Sequence, residues 1–431
     1  VSLVARLKTL GFVNYFADAT RVSPVNLAVA RVILGGYLFW KTMWYDWHLI
    51  VNTPFRVTES YLWAIPPAPV LVVEKYLLLG MLLLFVVGYR VGLTSFLSAA
   101  IISHLALVRY SLYLGGNTTS LFLGAYVLIF YGLYRDQDVL TVDTIRRTGT
   151  MRIDELRDHF DGSPRRSFRA DPLRLLLLVL GIVYFGSGLD KVLVGGAAWF
   201  GPANLTRTVV SWASFEGIGL GLGVLLVEYP ILATIASIGT IVLEMGLLVA
   251  ILLGVPLTLP VLALLGFMTS IPLTLGILFV DVFFLVGMLF TWDRLNAALS
   301  PDRDIDLVYD DACYFCMRSL YLFRVLDTDE RVRFYAQTEA PTAYAELPDV
   351  DFDRSMYVFH DDHAYEGYWA FRELVGQFGL LRPVAWLMGR RPVSMVGERV
   401  YRYVANNRSR HFTCAVDLEG QENTEAAPKQ A

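Results

Sequence analysis

LRLLLLVLGIVYFGSGLDKVLVGGAAW, residues 173–199, begins as an apolar run long enough to cross a bilayer, which takes roughly 20 residues at helical rise. It ends on Asp190 and Lys191, set among small residues and followed by Trp199. Ionisable groups at the edge of a membrane helix are costly and mark functional sites. Lys191 has two readings: a side chain snorkelling to the headgroups, or an amine kept short of water. A lysine acts as a base only when desolvation disfavours its charged form, and a membrane rim supplies that.

Similar runs recur through the first two thirds of the chain, which is 431 residues long and 55% hydrophobic. The fold class expected is a polytopic α-helical membrane protein of about eight spans, with seven to nine allowed. The spans fall at about 24–44, 70–89, 91–108, 119–134, 173–193, 229–253, 257–275 and 275–292. Residues 3–16 read as a short amphipathic helix on the membrane surface. Gly195 to Glu228, rich in glycine and aromatics, reads as a segment dipping partly into the bilayer. Nothing near the N-terminus has the pattern of a cleaved leader.

Nine arginines lie between Arg135 and Arg174, so that loop is expected on the cytoplasmic side. Four spans on either side of it then place both termini in the cytoplasm and Asn117 and Lys191 near the outer face. The location expected is the cell membrane, multi-pass. Orientation accounts for the arginines, and the net charge of −4 adds no case for nucleic acid. Arg31, Glu74, His104, Glu244 and Asp281 interrupt apolar runs, and each is expected either to pair with a neighbouring helix or to line a path.

From Ile305 the pattern changes. Short apolar stretches at Ile305–Tyr309, Val332–Phe334 and Met356–Phe359 alternate with helical stretches at Cys313–Leu326, 368–379 and 396–405. This is the pattern of a small α/β domain. The expected domains are 1–298 in the membrane, 299–418 outside it, and a disordered tail at 419–431.

The chain has three cysteines, Cys313, Cys316 and Cys414, too few for a disulfide scaffold. Cys313 and Cys316 sit where a strand gives way to a helix. A cysteine at a helix N-terminus feels the positive end of the dipole, which favours its thiolate. Two intervening residues permit a reversible disulfide within one turn. A competing reading joins Cys313 and Cys316 with His411 and Cys414 as four soft ligands for tetrahedral zinc. His360 and His363 read as hairpin residues in solvent, with reach toward the same site.

Tyr309-Asp310-Asp311-Ala312-Cys313-Tyr314-Phe315-Cys316 resembles the DxxCxxC signature of the DCC family of thiol-disulfide oxidoreductases, which are thioredoxin-like. Trp369-Ala370-Phe371, Pro383, Trp386-Leu387, Val400-Tyr401 and Ala405-Asn406-Asn407-Arg408 are similar to that family's helical tail, so the likeness covers about 305–412. It implies Cys313 as attacking thiol, Cys316 as resolving thiol, and Asp310 as a local acid/base or structural acid. No proline directly precedes the strand near Ser355, a departure from thioredoxins.

Gly186-Ser187-Gly188-Leu189-Asp190-Lys191, followed by Trp199 and Gly201, resembles a motif of the HTTM family, which includes the vitamin K-dependent γ-carboxylases. The resemblance implies Lys191 as the base of hydroquinone-driven epoxidation and carboxylation, with Asn117, Asp190, Trp199 and Glu244 near the substrate. It also implies a reduced quinone, menaquinone or vitamin K-like, as cofactor. Those carboxylases carry a histidine beside the asparagine; here Thr118 and Thr119 follow Asn117.

Three functions follow as expectations. One is a membrane oxidoreductase that acts on a lipid-soluble small molecule, its dithiol served by a cytoplasmic thiol reductant. Another is a transporter or lipid-binding protein in the bilayer. The last is a scaffold or sensor whose cysteines hold zinc.

Overall fold

The computed structural model describes residues 10–13, 15, 23–44, 66–112, 118–149, 151, 155–156, 171–216, 222–276, 279–311, 313–345, 350–352, 355–360 and 363–407. The expected surface helix at 3–16 and the tail at 419–431 lie mostly or wholly outside these residues.

Helices α1 (Pro24–Trp44), α2 (Ala68–Val87), α3 (Val91–Leu112) and α4 (Thr118–Leu133) form the first bundle. After α5 (Val142–Thr148) come α6 (Asp171–Trp199), α7 (Pro202–Glu216), α8 (Gly223–Glu228), α9 (Pro230–Leu252) and α10 (Thr258–Leu275). Among the described residues five helices are long and apolar enough to cross a membrane: α2, α3, α6, α9 and α10. Outward-facing Val73, Val242 and Leu259 are exposed, as side chains that meet lipid must be.

Within the last expected span, 275–292, the described residues hold one short helix of nine residues, α11 (Val280–Met288), between the end of α10 and the start of the helix that follows. α10, with Pro272 inside its last turn, ends at the left-handed Gly276. An amphipathic helix, α12 (Trp292–Leu299), follows. The stretch read as dipping into the bilayer holds the end of α6, broken at Gly196 (φ 54°), and the helices α7 and α8.

Glycine sets how closely α6 and α9 approach. A Cβ on Gly181 would meet Ile251 at 2.8 Å, and one on Gly188 would meet Met245 at 2.7 Å. Small residues on a membrane helix allow this contact.

The C-terminal unit is a four-stranded sheet with helices. It runs β1 (Ile305–Tyr309), α13 (Tyr314–Leu326), β2 (Val332–Ala336), α14 (Thr342–Ala345), β3 (Tyr357–His360), β4 (His363–Glu366), α15 (Gly367–Gln377), α16 (Arg382–Met388) and α17 (Arg391–Asn407). The strand order is β2-β1-β3-β4; β1 pairs parallel to β2 and antiparallel to β3, and β4 is antiparallel to β3. β1 is buried throughout, as a central strand covered on both faces should be.

Arg31 ties the two parts together. Its guanidinium donates to Asp138 (2.6 Å), to the Leu140 carbonyl (2.8 Å) and to the Val86 carbonyl (3.3 Å). Asp143 then accepts the backbone N–H groups of Arg90 and Val91 at 2.7 and 2.8 Å, capping α3. On the loop so held, the Ile145 carbonyl accepts from Arg318 (2.8 Å) and the Thr148 carbonyl from the Tyr314 hydroxyl. Leu156 joins the core of the sheet domain.

Burial pushes the Asp138 carboxyl up to about 6 from its ordinary 3.8, with Arg31 pulling the other way. The folded protein therefore holds this proton more tightly than the unfolded chain. That contribution to stability is complete below 3.8 and is lost as the pH rises through about 6. Removing Asp138 as Asp138→Ala leaves Arg31 buried without its counter-charge and should cost roughly 3–5 kcal/mol at pH 7. Arg31→Met with Asp138→Leu should recover most of this and abolish the pH 4-to-6 slope, read by thermal unfolding in detergent.

Candidate functional site

Two sites emerge, one in the sheet domain and one in the bundle. In the first, Cys313 is the N-cap of α13, with extended φ/ψ of −93° and 103°. Its Sγ accepts the Cys316 backbone N–H at 3.3 Å and lies 2.7 Å from Cys316 Sγ, which donates to it. Two donors and a helix N-terminus thus converge on the Cys313 sulfur, an arrangement that favours negative charge there. A disulfide requires about 2.05 Å between sulfurs, so little movement separates dithiol from disulfide.

The accessibility of the two sulfurs differs from what the thioredoxin-like roles lead one to expect. Cys313 is buried, 4% exposed, because a residue that caps a helix turns its side chain back over the first turn. Cys316, half-buried, lines an apolar cavity of about 720 Å³ together with Phe315, Met356, Tyr368, Val396 and Val400. The sulfur presented to an incoming molecule is therefore Cys316, and the better anion is Cys313. Asp310, 1% exposed, directly follows β1, and its carbonyl accepts the Cys313 N–H at 3.2 Å.

Tyr314 and Arg318, on the same helix as the cysteines, make the bonds to the α5 loop described above. Burial pushes the Tyr314 hydroxyl above its ordinary value, against the pull of Arg318. His360 is not in solvent: its ring stacks on Tyr365 and reaches Glu373 at 3.4 Å. His363 is exposed on β4. Neither lines the cavity beside Cys316. His411 and Cys414 lie outside the described residues, and among the described residues no group of three metal-ligating side chains is found.

In the bundle, Lys191 Nζ donates to both oxygens of Glu244 (2.8 and 2.6 Å) and to Ser187 Oγ (2.7 Å). The glycine seam positions this pair: Gly188 packs directly on Glu244 and Met245. The Trp199 ring lies 5.6 Å from Lys191 Nζ, and its Nε1 has no hydrogen-bond partner among the described residues. Asp190 faces outward, exposed, and Asn117 lies outside the described residues.

A second charged pair escaped the sequence reading as a pair. Lys41 Nζ donates to both Asp281 oxygens at 2.9 Å and to the Tyr37 hydroxyl at 3.0 Å, and Tyr37 donates to Asp281. The available signal was one lone cation and one lone acid, each in an apolar run. Glu74 likewise meets His104 at 2.9 Å between α2 and α3.

Comparison with known proteins bears on the sheet domain. No curated protein and no solved structure matches the chain at a significant level. Residues 307–414 match the family of DCC1-like thiol-disulfide oxidoreductases.

Proposed function

We propose that this chain is a multi-pass membrane protein of about eight spans that carries a thioredoxin-like dithiol oxidoreductase on its cytoplasmic face. The observation that carries the reading is the Cys313–Cys316 pair, 2.7 Å apart at the start of α13, within a stretch similar to a thiol-disulfide family. A βαβ unit followed by an antiparallel hairpin and a helix supports the thioredoxin-like assignment.

In the oxidised form, a thiolate of the partner attacks Cys316 Sγ, the S–S bond breaks, and its electron pair leaves on Cys313. A leaving group stabilised as an anion departs faster, and Cys313 has the donors for that role. A second partner thiolate then attacks the mixed disulfide, and the Cys316 sulfur departs and takes up a proton. The partner is oxidised to a disulfide and the protein is reduced to the dithiol, which is the step a cytoplasmic thiol reductant performs; the reverse sequence reduces a disulfide and returns the protein to its oxidised form.

Sidedness is supported by contacts. The N-terminal segment bridges Phe12 to Phe290, Asn26 and Asp293 exchange hydrogen bonds of 2.9 Å, and the arginine-dense loop packs on the sheet domain. All three therefore share one face, and the positive-inside rule makes that face cytoplasmic.

A second reading concerns Lys191. The Trp199 N–H, without a partner among the described residues, is a donor suited to the carbonyl oxygen of a quinone or lipid headgroup. The ammonium, whose three N–H bonds are taken up by Glu244 and Ser187, joins it when that pair opens. This would be the carboxylase-like role of the bundle. Because Lys191 is held by both Glu244 oxygens, acting as a base would require that pair to open.

Reduced protein should reduce a water-soluble disulfide such as oxidised glutathione, and mass spectrometry should find a Cys313–Cys316 link afterwards. Cys313→Ser and Cys316→Ser should each lower the rate about 100-fold or more; wild-type rates in either variant would sink the dithiol reading. Iodoacetamide should modify Cys316 ahead of Cys313 in the reduced protein. For the bundle, Lys191→Met should abolish saturable labelling of the α6 segment around Trp199 by a photoreactive naphthoquinone, and unchanged labelling would remove the headgroup role.

A further inference from the structure

The cavity beside Cys316 lies between α13, α15 and α17, and nothing above assigns it an occupant. Its volume of about 720 Å³ lies in the range of small-molecule sites. The wall is almost entirely apolar, and the one redox-active group in it is the Cys316 thiol. At the rim, Phe315, Val396 and Val400 are 51%, 59% and 56% exposed.

The surface around the mouth has the composition of a membrane-facing one. Trp386, Leu387 and Met395 are exposed on α16 and α17. Arg382, Arg390, Arg391, Arg399 and Arg402 accompany them, against a single acid, Glu398, between residues 382 and 402. Exposed tryptophan beside apolar side chains suits the headgroup level of a bilayer, and a cluster of arginines suits anionic lipid. The location agrees: Arg382 donates to the Leu299 carbonyl at 3.1 Å, and the Leu380 N–H to Asn296 at 3.0 Å. α16 thus starts against α12, the amphipathic helix that follows the last apolar helix of the bundle.

We propose that this cavity takes a lipid-soluble quinone from the bilayer and that the Cys313–Cys316 dithiol reduces it. The inference rests on the dithiol reading and names the second substrate of that site. The dithiol gives up two electrons and two protons, and a quinone is the class of lipid-soluble molecule that accepts both. Two S–H bonds break, one S–S bond forms between Cys313 and Cys316, and the quinone leaves as hydroquinone. Thiols from the aqueous side then restore the dithiol. Cys316 meets the quinone in the apolar space, while Cys313, buried behind it, closes the disulfide.

The test uses the full chain, reduced and in nanodiscs containing anionic lipid, under anaerobic conditions. The probe is a fully ring-substituted benzoquinone with a decyl tail, which disfavours stable addition of thiols to the ring. The expected result is one hydroquinone per protein with saturation, accompanied by a Cys313–Cys316 disulfide. Val400→Trp, filling the mouth, should raise the half-saturating quinone concentration by about tenfold or more, whereas Val384→Ala, outside the cavity, should leave it unchanged. Should Val400→Trp fail to fold, a photoreactive form of the same quinone on the wild-type protein serves instead, with label expected on Phe315, Met356 or α17. Label confined to the surroundings of Lys191, or a dithiol that oxidised glutathione oxidises but the quinone does not, overturns this inference alone. A dithiol that neither oxidises overturns the dithiol reading and this one with it.

Discussion

A buried guanidinium holds the architecture in register. A guanidinium carries five N–H donors and no acceptor, so in an apolar surround those of Arg31 must find acceptors. It finds them at the end of α2, at Asp138 and at Leu140. A lysine would supply a point charge, whereas the planar fork reaches several acceptors in fixed directions. The segment after α4 is thereby fixed to the bundle, α5 is set in place, and the carbonyls of Ile145 and Thr148 receive side chains of α13. The orientation of the dithiol relative to the bundle can be followed, bond by bond, to one arginine in the first helix.

The other intramembrane charges follow the same constraint. An unpaired charge away from water is expensive, and each acid singled out in the apolar runs has a basic partner on a neighbouring helix. Lys191 faces Glu244, Lys41 faces Asp281, and His104 faces Glu74. Pairs of this kind specify register as much as they stabilise, because a shift of one turn would separate them by about 5.4 Å. The glycines on α6 act with the ion pair. Without the close approach at Gly181 and Gly188, Lys191 would not span to Glu244.

Hydropathy made the helices legible, because each long apolar run must satisfy its backbone internally. The strand-to-helix junction at Cys313 was legible for a similar local reason. What pairs with what was not. Lys41 and Asp281 are 240 positions apart, and only the packing of α1 against α11 brings them together. The short length of α11 was hidden because Gly276 breaks a run that stays apolar on both sides. His360 was misread since a hairpin residue normally faces water, whereas the stacked Tyr365 and Glu373 cover it. The unequal exposure of the two sulfurs was not legible either. It follows from the N-cap geometry of Cys313 and from α17 folding back to wall the cavity, neither of which the CxxC spacing contains.

Distance limits how the two candidate sites can be related. Lys191 lies twenty residues beyond Asp171 on α6, about 30 Å at 1.5 Å per residue, which is close to the thickness of a bilayer core. The sheet domain sits at the Asp171 end, since Leu156 and the α5 loop pack against it. No proton or electron passes directly between Lys191 and Cys316 over such a span. If the sites share a substrate, it must diffuse within the membrane from one to the other. An apolar cavity opening beside Cys316 is the feature that such a carrier needs at the sheet-domain end. A dithiol exposed only to water, as on a soluble thioredoxin-like domain, would have no means of meeting it.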